Sequence, residues 1–166
     1  MNLFSTIVLY GVPCSLILSA VILAMALRNP RFLLQDYPSD IRAAAPPKTP
    51  AERRASAYWA ALFFLVLVGF PITAALSTRV AQGDFLSVFL SAFGVTLLFN
   101  IVDWLVLDWL IVCTITPRFV VIPGTEGMAG YKNYGMHFRG FLIGTLFSIA
   151  LSMLIAALSV YLIPLL

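Results

Sequence analysis

Apolar residues do not alternate with polar ones along this chain. They come in four long runs. Leu3 to Leu27 carries no charged side chain, nor does Ala57 to Thr78. Phe85 to Ile115 carries only Asp103 and Asp108, and Gly140 to Leu166 is again uncharged. About 20 mostly apolar residues suffice for a helix to cross a bilayer. The longer third and fourth runs must tilt or extend beyond the hydrocarbon. Short segments of alternating hydrophobicity, the mark of a membrane β-barrel, are absent. The pattern predicts an all-α integral membrane protein: one domain over residues 1–166, with four transmembrane helices at about 3–27, 57–78, 85–115 and 140–166.

Local signals sharpen these boundaries. Thr49-Pro50-Ala51-Glu52 reads as a capping box with proline at the first helical position, so the second helix should begin before its apolar run. Tyr58 and Trp59 then fall where amphipathic rings favour the headgroup region. Gly83-Asp84 reads as a tight turn with Asp84 as N-cap. Thr116-Pro117 should end the third helix, because proline disfavours helical geometry in the residue before it. Gly140, Gly144, Ser148 and Ser152 form a stripe of small residues, which permits close helix approach to the third helix or to a second copy.

Charge sets the expected orientation. Arg28, Arg31, Arg42, Lys48, Arg53 and Arg54 lie in or beside the first connection, and Arg118, Lys132 and Arg139 in the third. The second connection has only Arg79. Basic loops stay on the cytoplasmic side. Connections 28–56 and 116–139 are therefore expected in the cytoplasm of a prokaryotic plasma (inner) membrane, with both termini outside. No Lys or Arg precedes the first run, so it reads as a retained span rather than a signal peptide. Ala43-Ala44-Ala45-Pro46-Pro47-Lys48 reads as an extended, poorly ordered linker.

Composition agrees with this class. The 166 residues are 61% hydrophobic and 10% charged, too few polar groups to cover a water-soluble globule. A soluble enzyme, a disordered tail and a free nucleic-acid-binding domain are excluded. The net charge of +3 serves topology, not nucleic acid. Cys14 and Cys113 should lie at different depths, which argues against a disulfide.

The string Pro-Arg-Phe followed by two aliphatics occurs at Pro30–Leu34 and again at Pro117–Val121, half a chain apart. Two parallel helix-hairpin repeats would produce it. So would convergence, since both strings end an apolar helix at an interface.

Candidate chemistry centres on the third run. Asn100, Asp103 and Asp108 form a candidate proton- or ion-binding set, because intramembrane acids are costly and usually face protein or water. At about 100° per residue the two acids diverge by about 140° around an α-helix. The third connection holds the second set. Gly124, Gly127, Lys132 and Arg139 suit an anion or lipid headgroup, since closely spaced glycines expose backbone N–H groups. Ile122-Pro123-Gly124-Thr125 suits a type II turn. Asp108, Glu126 and His137 are the candidate catalytic groups. No metal or cofactor motif is present, so neither is expected.

Three functions follow as expectations. The first is a homo-oligomeric carrier or channel for a small solute or ion, using an intramembrane Asp. The second is an intramembrane enzyme acting on a lipid or isoprenoid headgroup. The third is a non-catalytic subunit of a membrane complex. The expected partners are the lipid bilayer and either further copies of the chain or other subunits.

Overall fold

A computed structural model describes residues 2–81 and 83–162. The expectations that fall on Met1 and on residues 163–166 lie outside the described residues. Among the described residues the chain is all helical, and four helices are long and apolar enough to cross a membrane.

α1 (Leu3–Arg28) starts at Asn2, whose side chain accepts from the Ser5 N–H at 2.8 Å. It ends at Asn29, where the chain turns into a 3₁₀ segment, Pro30–Asp36, and then a short helix, α2 (Ser39–Ala44). α3 (Pro50–Ala81) opens on the expected capping box. The Thr49 N–H donates to Glu52 Oε2 at 2.7 Å, and the Glu52 N–H donates to Thr49 Oγ1 at 3.2 Å. Glu52 also accepts from Asn29 Nδ2 and Arg31 Nη2, which ties the start of α3 to the exit of α1. α4 (Phe85–Val102) is capped by Asp84, which accepts from the Ser87 N–H at 2.9 Å.

From Asp103 to Ile115 the third helix continues as a π-helix, with i→i+5 rather than i→i+4 hydrogen bonds. Thr116 closes it, donating its N–H to Ile111 O at 2.8 Å. α5 (Tyr134–Ala157) continues in the same wide form to Leu162. It begins six residues before the apolar run at Gly140. Asn133 caps it by accepting from the Met136 N–H, and the aromatic residues of its first turns pack against the third helix. Packing, not hydropathy, sets this boundary.

α4 is the hub and touches α1, α3 and α5. Cys14 and Leu18 of α1, Leu67 and Ala74 of α3, and Val95 and Phe99 of α4 form the middle of the core. Ala75, Val88, Ala92, Ile155 and Ala156 fill the end of the bundle near Gly83. The small-residue stripe of α5 is used within the chain from Gly144 onward, whereas Gly140 is exposed with open space beside it. A Cβ on Gly144 would stand 2.6 Å from Asn100 Oδ1, and Ser148 and Ser152 are buried. Both cysteines are buried and free.

The two long connections do not hang apart. Tyr37, Ile41, Ala45, Ile122 and Tyr131 form a second small core beneath the bundle. Tyr37 donates its hydroxyl to Val120 O at 2.7 Å. Tyr131 Oη accepts from the Ile122 N–H at 2.9 Å and pairs with Thr125 Oγ1 at 2.7 Å. The expectation of an extended, poorly ordered linker at Ala43–Lys48 is therefore corrected in part: the chain is extended from Ala45 onward, but the segment is tied down at both ends. Ala43 and Ala44 are helical, Ala45 is buried, and Lys48 is held by three acceptors. Alanine content favours a helical turn once Ile41 has an apolar surface to pack on. In the other connection the type II turn forms: Thr125 N–H donates to Ile122 O, and Gly124 has φ +89°, which glycine adopts without steric cost.

Candidate functional site

The change of helical pitch at Asp103 rearranges the candidate acids. In an α-helix Asp103 and Asp108 diverge, as expected from their spacing. In the π-helix residues five apart share a stripe. Trp104 and Trp109, also five apart, meet with ring centroids at 4.9 Å, and Thr114 Oγ1 donates back five residues to Trp109 O. Asp103 and Asp108 are thereby close enough for their charges to act on each other. The divergence of about 140° is corrected, because it assumed 3.6 residues per turn throughout.

α5 brings the histidine. His137 Nδ1 lies 2.9 Å from Asp108 Oδ2, with His137 only 8% exposed and the Asp108 side chain 26% exposed. The ring's other nitrogen, Nε2, is buried and has no hydrogen-bond partner. The aromatic residues hold this geometry. Trp104 stacks on Phe141 at 4.5 Å and lies against Phe138 at 5.3 Å. Trp109 packs edge-on against Tyr134 and donates Nε1–H to Tyr134 O at 3.3 Å. Trp104 Nε1, like His137 Nε2, is buried without a partner.

The other predicted residues go elsewhere. Asn100 does not turn toward the acids. Its Nδ2 donates to Phe141 O at 3.0 Å and Thr145 Oγ1 at 2.9 Å, so it clamps α4 to α5. Asp103 makes no side-chain hydrogen bond or ion pair among the described contacts. Glu126 stays in its own turn, where its two carboxylate oxygens accept from the Gly124 N–H at 3.1 and 3.0 Å. N–H groups of Glu126 itself and of Gly124 hold its carboxyl below the ordinary glutamate value. The nest expected to receive an anion is thus filled by the chain's own carboxylate. Lys132 donates to Cys113 O, Thr114 O and Thr116 Oγ1, capping the end of the π-helix rather than facing a ligand. Gly127 and Arg139 are exposed. Among the described residues no three His, Cys, Asp or Glu side chains converge as metal ligands.

Asp36 is the residue that sequence reasoning passed over. It ends the 3₁₀ segment after α1 and is exposed at the surface. Partial desolvation raises its carboxyl above the ordinary aspartate value, Lys48 opposes the rise, and the charge of Asp108 adds to it. Asp36 thus feels both the charge of Asp108 and the charges of Lys48 and Arg42 in the first connection. Nothing in its local spacing marks it, because only the folding of that connection carries it there.

Two of the concavities among the described residues lie away from the Asp108–His137 pair. One, of about 460 Å³, opens beside α2 and the start of α3 and is lined by Leu34, Gln35, Arg42, Pro47, Lys48 and Arg53. The other, of about 130 Å³, is an apolar notch between α1 and α4.

The chain matches no family model, no curated protein and no solved structure.

Proposed function

We propose that this is a multi-pass protein of a prokaryotic plasma membrane, working as an enzyme on the headgroup of a lipid or isoprenoid at the cytoplasmic face. The observation that carries the reading is the Asp108–His137 pair. A carboxylate accepting from Nδ1–H fixes the imidazole's orientation and tautomer and leaves Nε2 as a proton acceptor. Here Nε2 is buried and unpartnered. It would take a proton from a headgroup hydroxyl or from water. Asp108 would stabilise the imidazolium that results.

Insertion is supported by the outward faces of the helices. Phe4, Leu16, Leu65, Ile143 and Leu146 are all more than half exposed, an apolar surface that water would not tolerate. Trp109, Tyr134, Tyr58 and Trp59 fall at the helix ends near the two long connections, where headgroups favour such rings. Those connections carry most of the basic residues, which supports a cytoplasmic placement with both termini outside. Both native cysteines are buried, so a cysteine introduced at Ser39 can be labelled without background. Labelling of Ser39→Cys from outside intact cells would overturn this orientation.

The parallel-repeat reading draws on one likeness. Both Pro-Arg-Phe strings leave a long helix and form a 3₁₀ turn.

Asp103 favours a second reading, a carrier or channel with a proton or cation on that side chain. Between Asp103 and the Gly83 end, however, the apolar cluster of Ala75, Val88, Ala92, Ile155 and Ala156 fills the bundle. A route for a solute would then run between copies of the chain, in a homo-oligomer or in a larger complex.

The test is reconstitution of the purified protein in vesicles of bacterial polar lipids with added polyprenyl phosphate, with headgroups followed by mass spectrometry. The expected result is a time-dependent headgroup change that falls at least about a hundredfold in His137→Gln and survives in Glu126→Gln. Equal turnover in His137→Gln would overturn the enzyme reading. Proton or cation flux lost in Asp103→Asn, without headgroup change, would establish the second reading in its place.

A further inference from the structure

We infer that the recess beside α2 is a phosphoryl-binding pocket, and that it receives the phosphate of a lipid headgroup presented to the Asp108–His137 pair. The inference deepens the enzyme reading and rests on it for the substrate's role, but its binding test does not depend on turnover.

The recess is a shallow one, open to the surface, with a volume of about 460 Å³. Of its six lining residues, three are cations, Arg42, Lys48 and Arg53, and none is an acid. Their states differ in a way that matters. Lys48 Nζ donates to Phe32 O at 2.6 Å, Gln35 Oε1 at 2.8 Å and Ser56 Oγ at 3.1 Å. All three acceptors are neutral, so the ammonium is fixed in place while its charge is left without a contacting carboxylate. Arg42 and Arg53 make no side-chain hydrogen bond or ion pair among the described contacts. Arg31, by contrast, is consumed by Glu52 at 3.0 Å and by Pro47 O. Two planar guanidinium forks are therefore available above one fixed point charge. Guanidinium forks match the paired oxygens of a phosphate. A carboxylate would balance only one of the three cations, whereas a phosphate monoester or diphosphate balances two or more.

The walls and surroundings add to this. Leu34 and Pro47 add apolar lining to the recess, suited to the carbon chain that follows a lipid phosphate. Asp36 follows Gln35 of the lining directly. The charges of Lys48, Arg42 and Asp108 all act on it. A phosphate held by the two arginines would thus lie near an acid that also feels the charge of Asp108. The glycine-rich connection, where the sequence pointed for an anion, has already spent its turn N–H on Glu126 and its lysine on helix carbonyls.

The same chemistry could be met by a soluble phosphate compound, so the experiment has two arms. In the first, native mass spectrometry of the full chain, released from mixed vesicles of phosphatidic acid and phosphatidylcholine, counts the retained lipids. In the second, equilibrium dialysis measures inorganic pyrophosphate binding to the protein in neutral detergent. The expected result is selective retention of one phosphatidic acid, weakened about tenfold by Arg42→Gln and by Arg53→Gln. Arg54→Gln and Arg118→Gln, which alter exposed arginines outside the recess, should change retention less than about twofold. Pyrophosphate binding with the same dependence on Arg42 and Arg53, but no lipid retention, would keep the phosphoryl pocket and overturn its lipid source. Equal weakening by all four substitutions would reduce the effect to general surface attraction and overturn the pocket, as would binding in neither arm. Loss of retention with intact headgroup turnover would overturn this inference alone, and retention without turnover would overturn only the enzyme reading.

Discussion

His137 Nδ1 stands 2.9 Å from Asp108 Oδ2, although the two residues belong to different long helices joined by the segment 116–133. The contact exists because a π-helix aims Asp108 toward the first turn of α5. It also exists because that turn is helical earlier than hydropathy implies.

That contact fixes a tautomer. The chain has one histidine, so ¹⁵N-histidine labelling yields one imidazole. In the neutral ring the proton should reside on Nδ1, donated to Asp108, with Nε2 bare. Two-bond ¹H–¹⁵N correlations read this directly. In Asp108→Leu the preference should disappear. A dominant Nε2–H form in the unaltered protein would mean that Nδ1 does not donate to Asp108.

Asn100 and Gly144 should behave as one unit. Alanine at 144 would place its Cβ 2.6 Å from Asn100 Oδ1, an amide already held by two hydrogen bonds. Gly144→Ala should destabilise the fold by about 1–3 kcal/mol, the range for overpacking a tight contact. In the Asn100→Ala background the same change should cost clearly less. Thermal unfolding of the four proteins in one detergent closes the cycle, and additive effects would contradict the clamp.

Tyr131→Phe should loosen the cap beneath the bundle. The substitution keeps the ring that packs edge-on against Tyr37 at 6.0 Å but removes the acceptor for the Ile122 N–H. A buried donor left without a partner costs about 1–3 kcal/mol. Hydrogen exchange at the Ile122 amide should accelerate, while amides in the middle of α4 keep their protection.

Glu126 should give its turn a pH dependence. Its carboxyl lies below the ordinary glutamate value of 4.5 in the folded chain, held there by N–H groups of the turn. A carboxyl depressed by folding stabilises the fold above its unfolded pKa, and this contribution disappears as pH falls through the folded value. The Gly124 amide proton should therefore shift with a midpoint below pH 4.5, and Glu126→Gln should abolish that titration. A midpoint at or above the ordinary value would contradict the contact.

Several features of this protein follow from sequence alone, and all of them are local. The four apolar runs become the four long helices, because a helix satisfies its own backbone within each segment. The capping box of Thr49 and Glu52, the N-cap Asp84, and the turn at Pro123-Gly124 are decided by hydrogen bonds that reach no more than three residues. The candidate site is different. The sequence singled out Asp103, Asp108 and His137 by residue type, but an α-helical angle set the two acids apart, and no spacing joined either to His137. The wide helix that realigns the acids, the clamp that turns Asn100 away, and the folded connection that delivers Asp36, Arg42, Lys48 and Arg53 were decided by tertiary structure. Each depends on surfaces distant in the chain: Trp104 against Phe141, Asn100 against Gly144, Ile41 and Tyr37 against Tyr131. Local hydrogen bonding sets where a helix begins, whereas its pitch and the direction of its polar side chains answer to whatever packs against it.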